Sequence, residues 1–293
     1  MGMKHMGNSA IKLSNLTRDF SIGLRGYKLR ALDQVNLEVP LGGIFGLLGP
    51  NGSGKSTTIK IILGLLRPST GQCDIFGVPA GQREARSRIG YLPETPFFYQ
   101  FLTGRELVRF FAAISGLRGQ AREQRVDVVL ETVRMIGSAD RHIRTYSKGM
   151  IQRIGLAQAL VHDPDILILD EPMSGLDPIG TCEFIEILRD LRDRGKTVLL
   201  ASHLLARVEE ICDEIAILHK GQIVCHGSLP EITQASESTV LKLAHLSPEK
   251  EKAAQEALRL IGINILEFQK DRRRLDEVFL AAVSDQSQSS QES

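Results

Sequence analysis

The sequence predicts an α/β fold, and three stretches predict it. Residues 43–48, Gly-Ile-Phe-Gly-Leu-Leu, form a short apolar run, followed by a glycine-rich stretch and then by a second apolar run over 58–66 at helical spacing. Residues 166–169, Ile-Leu-Ile-Leu, end in Asp170-Glu171-Pro172. Residues 197–202, Thr-Val-Leu-Leu-Ala-Ser, end at His203. Short unbroken apolar runs that each stop at polar residues read as buried strands of an open α/β sheet. Such strands deliver side chains to the sheet's C-terminal edge, where ligands bind.

The stretch between the first strand and its helix is Gly49-Pro50-Asn51-Gly52-Ser53-Gly54-Lys55-Ser56-Thr57. It fits G-x-x-x-x-G-K-[ST], the phosphate-binding loop, in the strand–loop–helix context that this motif requires. Gly49, Gly52 and Gly54 let the backbone curl so that successive N–H groups face an anion. Lys55 supplies a compact positive charge to the outer phosphates. Ser56 offers a hydroxyl to Mg²⁺, and the helix N-terminus adds its dipole.

Composition removes several classes. Hydrophobic residues are 42% and charged residues 24%, enough for an ordinary globular core. The net charge of +1 makes no case for nucleic acid, and Arg272-Arg273-Arg274 reads as a solvated face. Cys73, Cys182, Cys212 and Cys225 form no C-x-x-C pair and read as reduced, buried thiols in a cytosolic protein. No stretch approaches the roughly 18 consecutive apolar residues of a membrane span. Residues 1–10 lack the apolar core of a signal peptide and read as a flexible N-terminus.

In chain order, residues 11–16, 31–32 and 35–39 read as strands, with Phe20 and Tyr27 in the turn region between them. Either ring is placed to stack on a base. Short strands are expected over 73–76 and 88–93, the latter delivering Glu94 to the sheet edge. Phe97, Phe98, Tyr99 and Phe101 crowd a loop, which marks either burial or a docking surface. Residues 103–119 and 123–136 read as helices, the first opened by a capping box of Thr103 and Glu106. Ser147 reads as the N-cap of another helix, with Gly149 in its first turn. Asp170 and Glu171 sit where a strand ends and the chain turns, so that Asp170 can face Mg²⁺ and Glu171 an attacking water. A helix starts near Asp177, and a strand pair over 214–225 precedes the end of the main domain near Pro230. A small α+β appendage is expected over 231–283, with strands at 239–244 and 263–268 and helices at 248–260 and 275–283. The Ser/Gln-rich residues 284–293 read as a disordered tail.

With these motifs in order, residues 11–230 resemble the ATP-binding subunit of an ABC transporter. Residues 49–57 match the Walker A loop, 165–171 match Walker B with the catalytic Glu, 174–177 match the D-loop and His203 the switch His. Tyr146-Ser147-Lys148-Gly149-Met150 resembles the signature LSGGQ in degenerate form. Glu94 stands where the family carries its Q-loop Gln, and Tyr91-Leu92-Pro93-Glu94 looks like the ABC-2-type exporter branch.

The resemblance implies a P-loop NTPase fold with a RecA-like core, a helical signature subdomain over about 97–160 and the appendage. It implies ATP and Mg²⁺ as ligands, with adenine on Phe20 (Tyr27 in reserve) and Mg²⁺ on Ser56, Glu94 and Asp170. Glu171 would activate water and His203 would stabilise the γ-phosphate. Two chains, expected as a homodimer, would close head to tail. Ser147 and Gly149 would then complete the partner's site, and Asp177 would line the interface. A separate multi-span permease would dock near Glu94 and the aromatics 97–101, placing the chain at the cytoplasmic face of the cell membrane. No nucleic-acid partner is expected. The alternative is a soluble ABC-type ATPase. Only 115 residues separate Lys55 from Asp170 (170 − 55), which leaves no room for the long insertion of the DNA-repair types.

Overall fold

Three strands with almost no polar residues lie within the larger sheet of the first unit. In the computed structural model, residues 9–22, 27–233, 247–263 and 265 are described. The chain divides into two compact units, Met1–Thr233 and Gln234–Ser293. The first unit opens with β1 (Ser9–Ile22), β2 (Tyr27–Pro40), β3 (Gly43–Leu48), α1 (Lys55–Ile62), β4 (Thr70–Ile75), β5 (Val78–Pro79), α2 (Arg83–Ser87) and β6 (Ile89–Leu92). There follow α3 (Gly104–Ile114), α4 (Gly119–Thr132), α5 (Lys148–Leu160), β7 (Ile166–Asp170) and α6 (Pro178–Asp193). It closes with β8 (Thr197–Ser202), α7 (Leu205–Ile211), β9 (Glu214–His219), β10 (Gln222–Ser228) and α8 (Leu229–Thr233).

The larger sheet has the order β10-β9-β3-β8-β7-β6, parallel except for β10. Its central strands are covered on both faces, which is why their sequences do not alternate. Period-two geometry still sorts them. Leu167 and Leu169 of β7 enter one core together with the helices α3–α6, while Ile166 and Ile168 enter the other. Val198 and Leu200 separate from Leu199 and Ala201 in the same way. The second core is closed by the antiparallel sheet β2-β1-β4-β5. The parallel strands thus end at one edge, with loops 49–54, 93–103 and 171–177 above it.

Helix starts follow local chemistry. Thr103 and Glu106 form the capping box, with reciprocal hydrogen bonds of 3.2 and 2.8 Å. Ser147 caps α5 by accepting from the Met150 N–H, and Asp177 caps α6 by accepting from the Gly180 N–H at 2.9 Å, with Pro178 at the first helical position.

Several expected boundaries shift, each for a local reason. Phe20 and Tyr27 lie in paired strands rather than a turn, because β1 and β2 run 14 residues each through several bulges. The helix expected to reach residue 66 stops at Ile62, where Gly64 takes a left-handed φ of 68°. The helix expected to reach 119 stops at Ile114 before Gly116 at φ 90°. The next runs from Gly119 to Thr132 instead of over 123–136, and is followed by Arg134 at φ 56°. In the second unit, α9 (Pro248–Leu260) is capped by Ser247 and carries Glu249 and Glu251 in its first turn. The strand expected over 239–244, most of the strand over 263–268, the helix over 275–283, the tail and residues 1–8 of the N-terminus lie outside the described residues. Of the cysteines expected to be buried, Cys73 and Cys212 are, whereas Cys182 and Cys225 are half-buried.

Candidate functional site

The phosphate-binding loop is wedged between two strands, and this fixes its glycines. Gly49 has φ 154°, and a Cβ there would stand 2.2 Å from the Leu218 carbonyl oxygen of β9. Gly54 has φ 115°, and its Cβ would meet the Ala31 carbonyl oxygen of β2 at 2.9 Å. Gly54 caps α1 without any side-chain hydrogen bond, and no acidic residue occupies the first turn. The first N–H groups and the helix dipole are therefore left to an anion.

Lys55 is only 6% exposed. Its ammonium donates to the Gly49 carbonyl at 2.6 Å and lies 3.7 Å from Glu171 Oε1. Ser53 Oγ is buried with no hydrogen-bond partner. A buried hydroxyl without a partner is destabilising by about 1–3 kcal/mol, and in this loop it is a donor at the place where the motif binds phosphate.

β7 supplies the carboxylates. Asp170 is its last residue, and Glu171 follows at φ 47°, a left-handed conformation rare for a non-glycine. Strain of this kind, on the order of 1–3 kcal/mol, gathers at functional sites. Here it turns the chain so that both neighbouring carboxylates line one open pocket, which also contains Phe20, Leu29, Ala31, Lys55, Ser56, Thr57 and Glu94. Burial pushes the Asp170 carboxyl above its ordinary range, with smaller contributions from the charges of Glu171 and Glu94. A cation among these oxygens would offset that repulsion.

Among the described residues no group of three or more His, Cys, Asp or Glu could hold a metal by itself. The oxygen donors of Ser56, Asp170 and Glu94, beside a phosphate site, instead fit Mg²⁺, which keeps waters and phosphates as ligands.

Glu171 is 7% exposed and held from β8. Its backbone N–H donates to the Ala201 carbonyl at 2.9 Å, its Oε2 accepts from Ser202 Oγ at 3.3 Å, and its Oε1 lies 2.9 Å from His203 Nδ1. The sequence reading missed Ser202, although it directly precedes His203. Phe20 lines the pocket beside Leu29, with the Arg18 guanidinium 4.7 Å from its ring centre.

Ser147, Gly149 and Asp177 do not join this pocket. They form a second cluster: a Cβ on Gly149 would lie 3.9 Å from Leu176, and the Lys148 ammonium packs on Gly175. Beside the pocket, in the loop after β6, Phe97 is 90%, Tyr99 64% and Phe101 70% exposed, while Phe98 packs on the core.

Known proteins resemble this chain in sequence and fold. The family model described as "ABC transporter" matches residues 32–174. An uncharacterized ABC transporter ATP-binding protein of Nostoc is 38% identical over 95% of this chain and 91% of its own. The bacitracin transport ATP-binding protein BcrA of Bacillus licheniformis is 38% identical over 74% of this chain and 69% of its own. Among solved structures, the dimeric post-hydrolysis state of the ATP-binding cassette MJ0796, bound to ADP and Pi, superposes with a TM-score of 0.65 at 28% identity. That match covers 75% of this chain and 98% of the other.

Proposed function

We propose a mechanism for a chain that belongs to the ABC transporter family and is an ATP-binding, ATP-hydrolysing subunit of such a transporter. Subunits of this kind dimerise and work with transmembrane permeases. The relatives therefore favour transport over the soluble alternative.

In this reading ATP lies along residues 49–57. The loop N–H groups and the α1 dipole take the phosphate charge, Lys55 takes the outer phosphates, and Phe20 offers its ring to adenine. Stacking of a base on an aromatic is worth about 1–3 kcal/mol. Ser56, Asp170 and Glu94 would hold Mg²⁺, which supplies charge neutralisation to the phosphates.

Glu171 takes the proton of the attacking water, and His203 orients the carboxylate and stabilises the γ-phosphate. Catalysis is then mainly positioning and charge stabilisation. The observation that carries this reading is the convergence on one buried carboxylate: Glu171 Oε1 is 2.9 Å from His203 Nδ1 and 3.7 Å from Lys55 Nζ.

Ser147 and Gly149 complete the γ-phosphate site of a second copy, and Asp177 lies at that interface. A permease docks against Glu94 and the exposed Phe97, Tyr99 and Phe101, which places the chain at the cytoplasmic face of the cell membrane. Among the described residues no helix is long and apolar enough to cross a membrane. Export is the direction favoured by the Tyr91-Leu92-Pro93-Glu94 segment.

Glu171→Gln tests the mechanism. The variant should bind ATP as the unsubstituted chain does, lose about 10²–10⁴-fold in hydrolysis, and form a stable dimer with ATP. Ordinary turnover in that variant would remove Glu171 from its role as base.

A further inference from the structure

One face of α5 grips the segment that carries Glu94. Three positions spaced at helical intervals make the contact. Gln152 Nε2 donates to the Glu94 carbonyl at 2.9 Å. Gly155 packs so tightly on the same segment that a Cβ would stand 2.7 Å from Leu92 and 3.2 Å from Pro96. At the far end, a Cβ on Gly90 would stand 2.3 Å from the Ala159 carbonyl oxygen. Residues at i, i+3 and i+7 share one helix face, so α5 and residues 90–96 form a continuous seam.

Gln152 is the one polar side chain of these three positions, and it is 1% exposed. Its Oε1 is buried with no hydrogen-bond partner. An apolar residue would fill the place without leaving an amide oxygen unpaired. The amide is therefore a poor choice for packing alone and a good choice for holding the Glu94 backbone.

We propose that Gln152 is a positioning residue that ties the Glu94 segment to α5, so that the placement of Glu94 at the nucleotide sets the placement of Ser147–Gly149. The link is short. Ser147 precedes Gln152 by five residues, about 7.5 Å along a helix at 1.5 Å per residue. Phe97 lies immediately beyond Pro96, so the same seam carries a push from the aromatic loop to α5. The unpaired Oε1 makes the grip adjustable: a displacement of the segment that presents an N–H to Oε1 completes the amide's bonding. The inference rests on the reading that Ser147 and Gly149 meet ATP held by a second copy.

The test uses the full chain carrying Glu171→Gln, with ATP·Mg²⁺ as the probe. Dimer formation is measured by sedimentation, and ATP binding to the single chain by fluorescence of a nucleotide analogue. Adding Gln152→Met should raise the ATP concentration needed for dimerisation about fivefold to tenfold, the effect of one lost hydrogen bond. Single-chain ATP affinity and the melting temperature should stay close to those of the parent. Gln152→Leu, apolar and close to Gln in volume, should behave likewise.

Equal dimerisation with and without these substitutions overturns the proposal. A parallel loss of melting temperature, ATP binding and dimerisation also overturns it, since it assigns Gln152 a structural role. If Glu171→Gln alone forms no dimer with ATP, it is the underlying dimer reading that fails. Amide exchange on the chain with native Gln152 gives an independent check: residues 92–96 and 147–153 should gain protection together when ATP is added. Protection confined to one segment refutes the link.

Discussion

The phosphate-loop region and the signature region differ in how they use their polar groups. In the first, Lys55, Glu171, Ser202 and His203 form one connected, largely buried set on three neighbouring strand ends. Its geometry is fixed by strain at Glu171 and by glycines pressed on backbone. In the second, Ser147, Lys148, Gly149 and Asp177 lie on two helix starts, and the side chains of Ser147 and Asp177 are engaged only in capping. No acidic residue lies in the first turn of either helix. One region gathers its charged side chains around a pocket; the other lies outside that pocket, with its polar side chains held at helix starts. Such a division is what the proposed site, shared between two copies, would require.

The largest expected effect separates the two regions outright. Lys55→Ala and Ser147→Glu should each abolish ATPase activity in a pure dimer. Mixed, they should recover activity that neither has alone, because one of the two sites in a heterodimer keeps both native halves. An inactive mixture in which heterodimers are demonstrably present would break the comparison.

Next comes Gly49→Ala. Its Cβ would lie 2.2 Å from the Leu218 carbonyl oxygen at a φ of 154°. A loss of about 3 kcal/mol or more is expected from the clash and the strain, seen as a lower melting temperature together with lost ATP binding. The smallest is Ser202→Ala, which removes the 3.3 Å hydrogen bond to Glu171. It should lower kcat about fivefold and leave the KM for ATP unchanged. A change in KM instead would place Ser202 in nucleotide binding.

Most of the phosphate-loop region was legible, because its chemistry is local: each motif is a strand, a turn and a few polar residues in sequence. The capping of α3 by Thr103 and of α5 by Ser147 was legible for the same reason. Features joining distant segments were not. Ser202 reaches Glu171 across 31 residues, and Gln152 reaches Glu94 across 58. Periodicity marks α5 as a buried helix without saying which loop it holds. The bulges that carry β1 past Phe20 are set by pairing with β2, so the strand's length was hidden too. Two helix ends overran past glycines, Gly64 and Gly116, that a helix-stop rule marks, and one past Arg134, a left-handed residue that no composition rule marks.

The exposed rings of Phe97, Tyr99 and Phe101 have a further consequence, for dosage. Three large apolar groups within five residues form a patch that invites association when it stays uncovered. If the permease covers that patch as proposed, a cell that makes more of this chain than of the permease would show it to chaperones, to proteases and to other copies. Balanced synthesis of the two proteins would then limit aggregation of the chain, and the loop would mark a subunit not yet assembled.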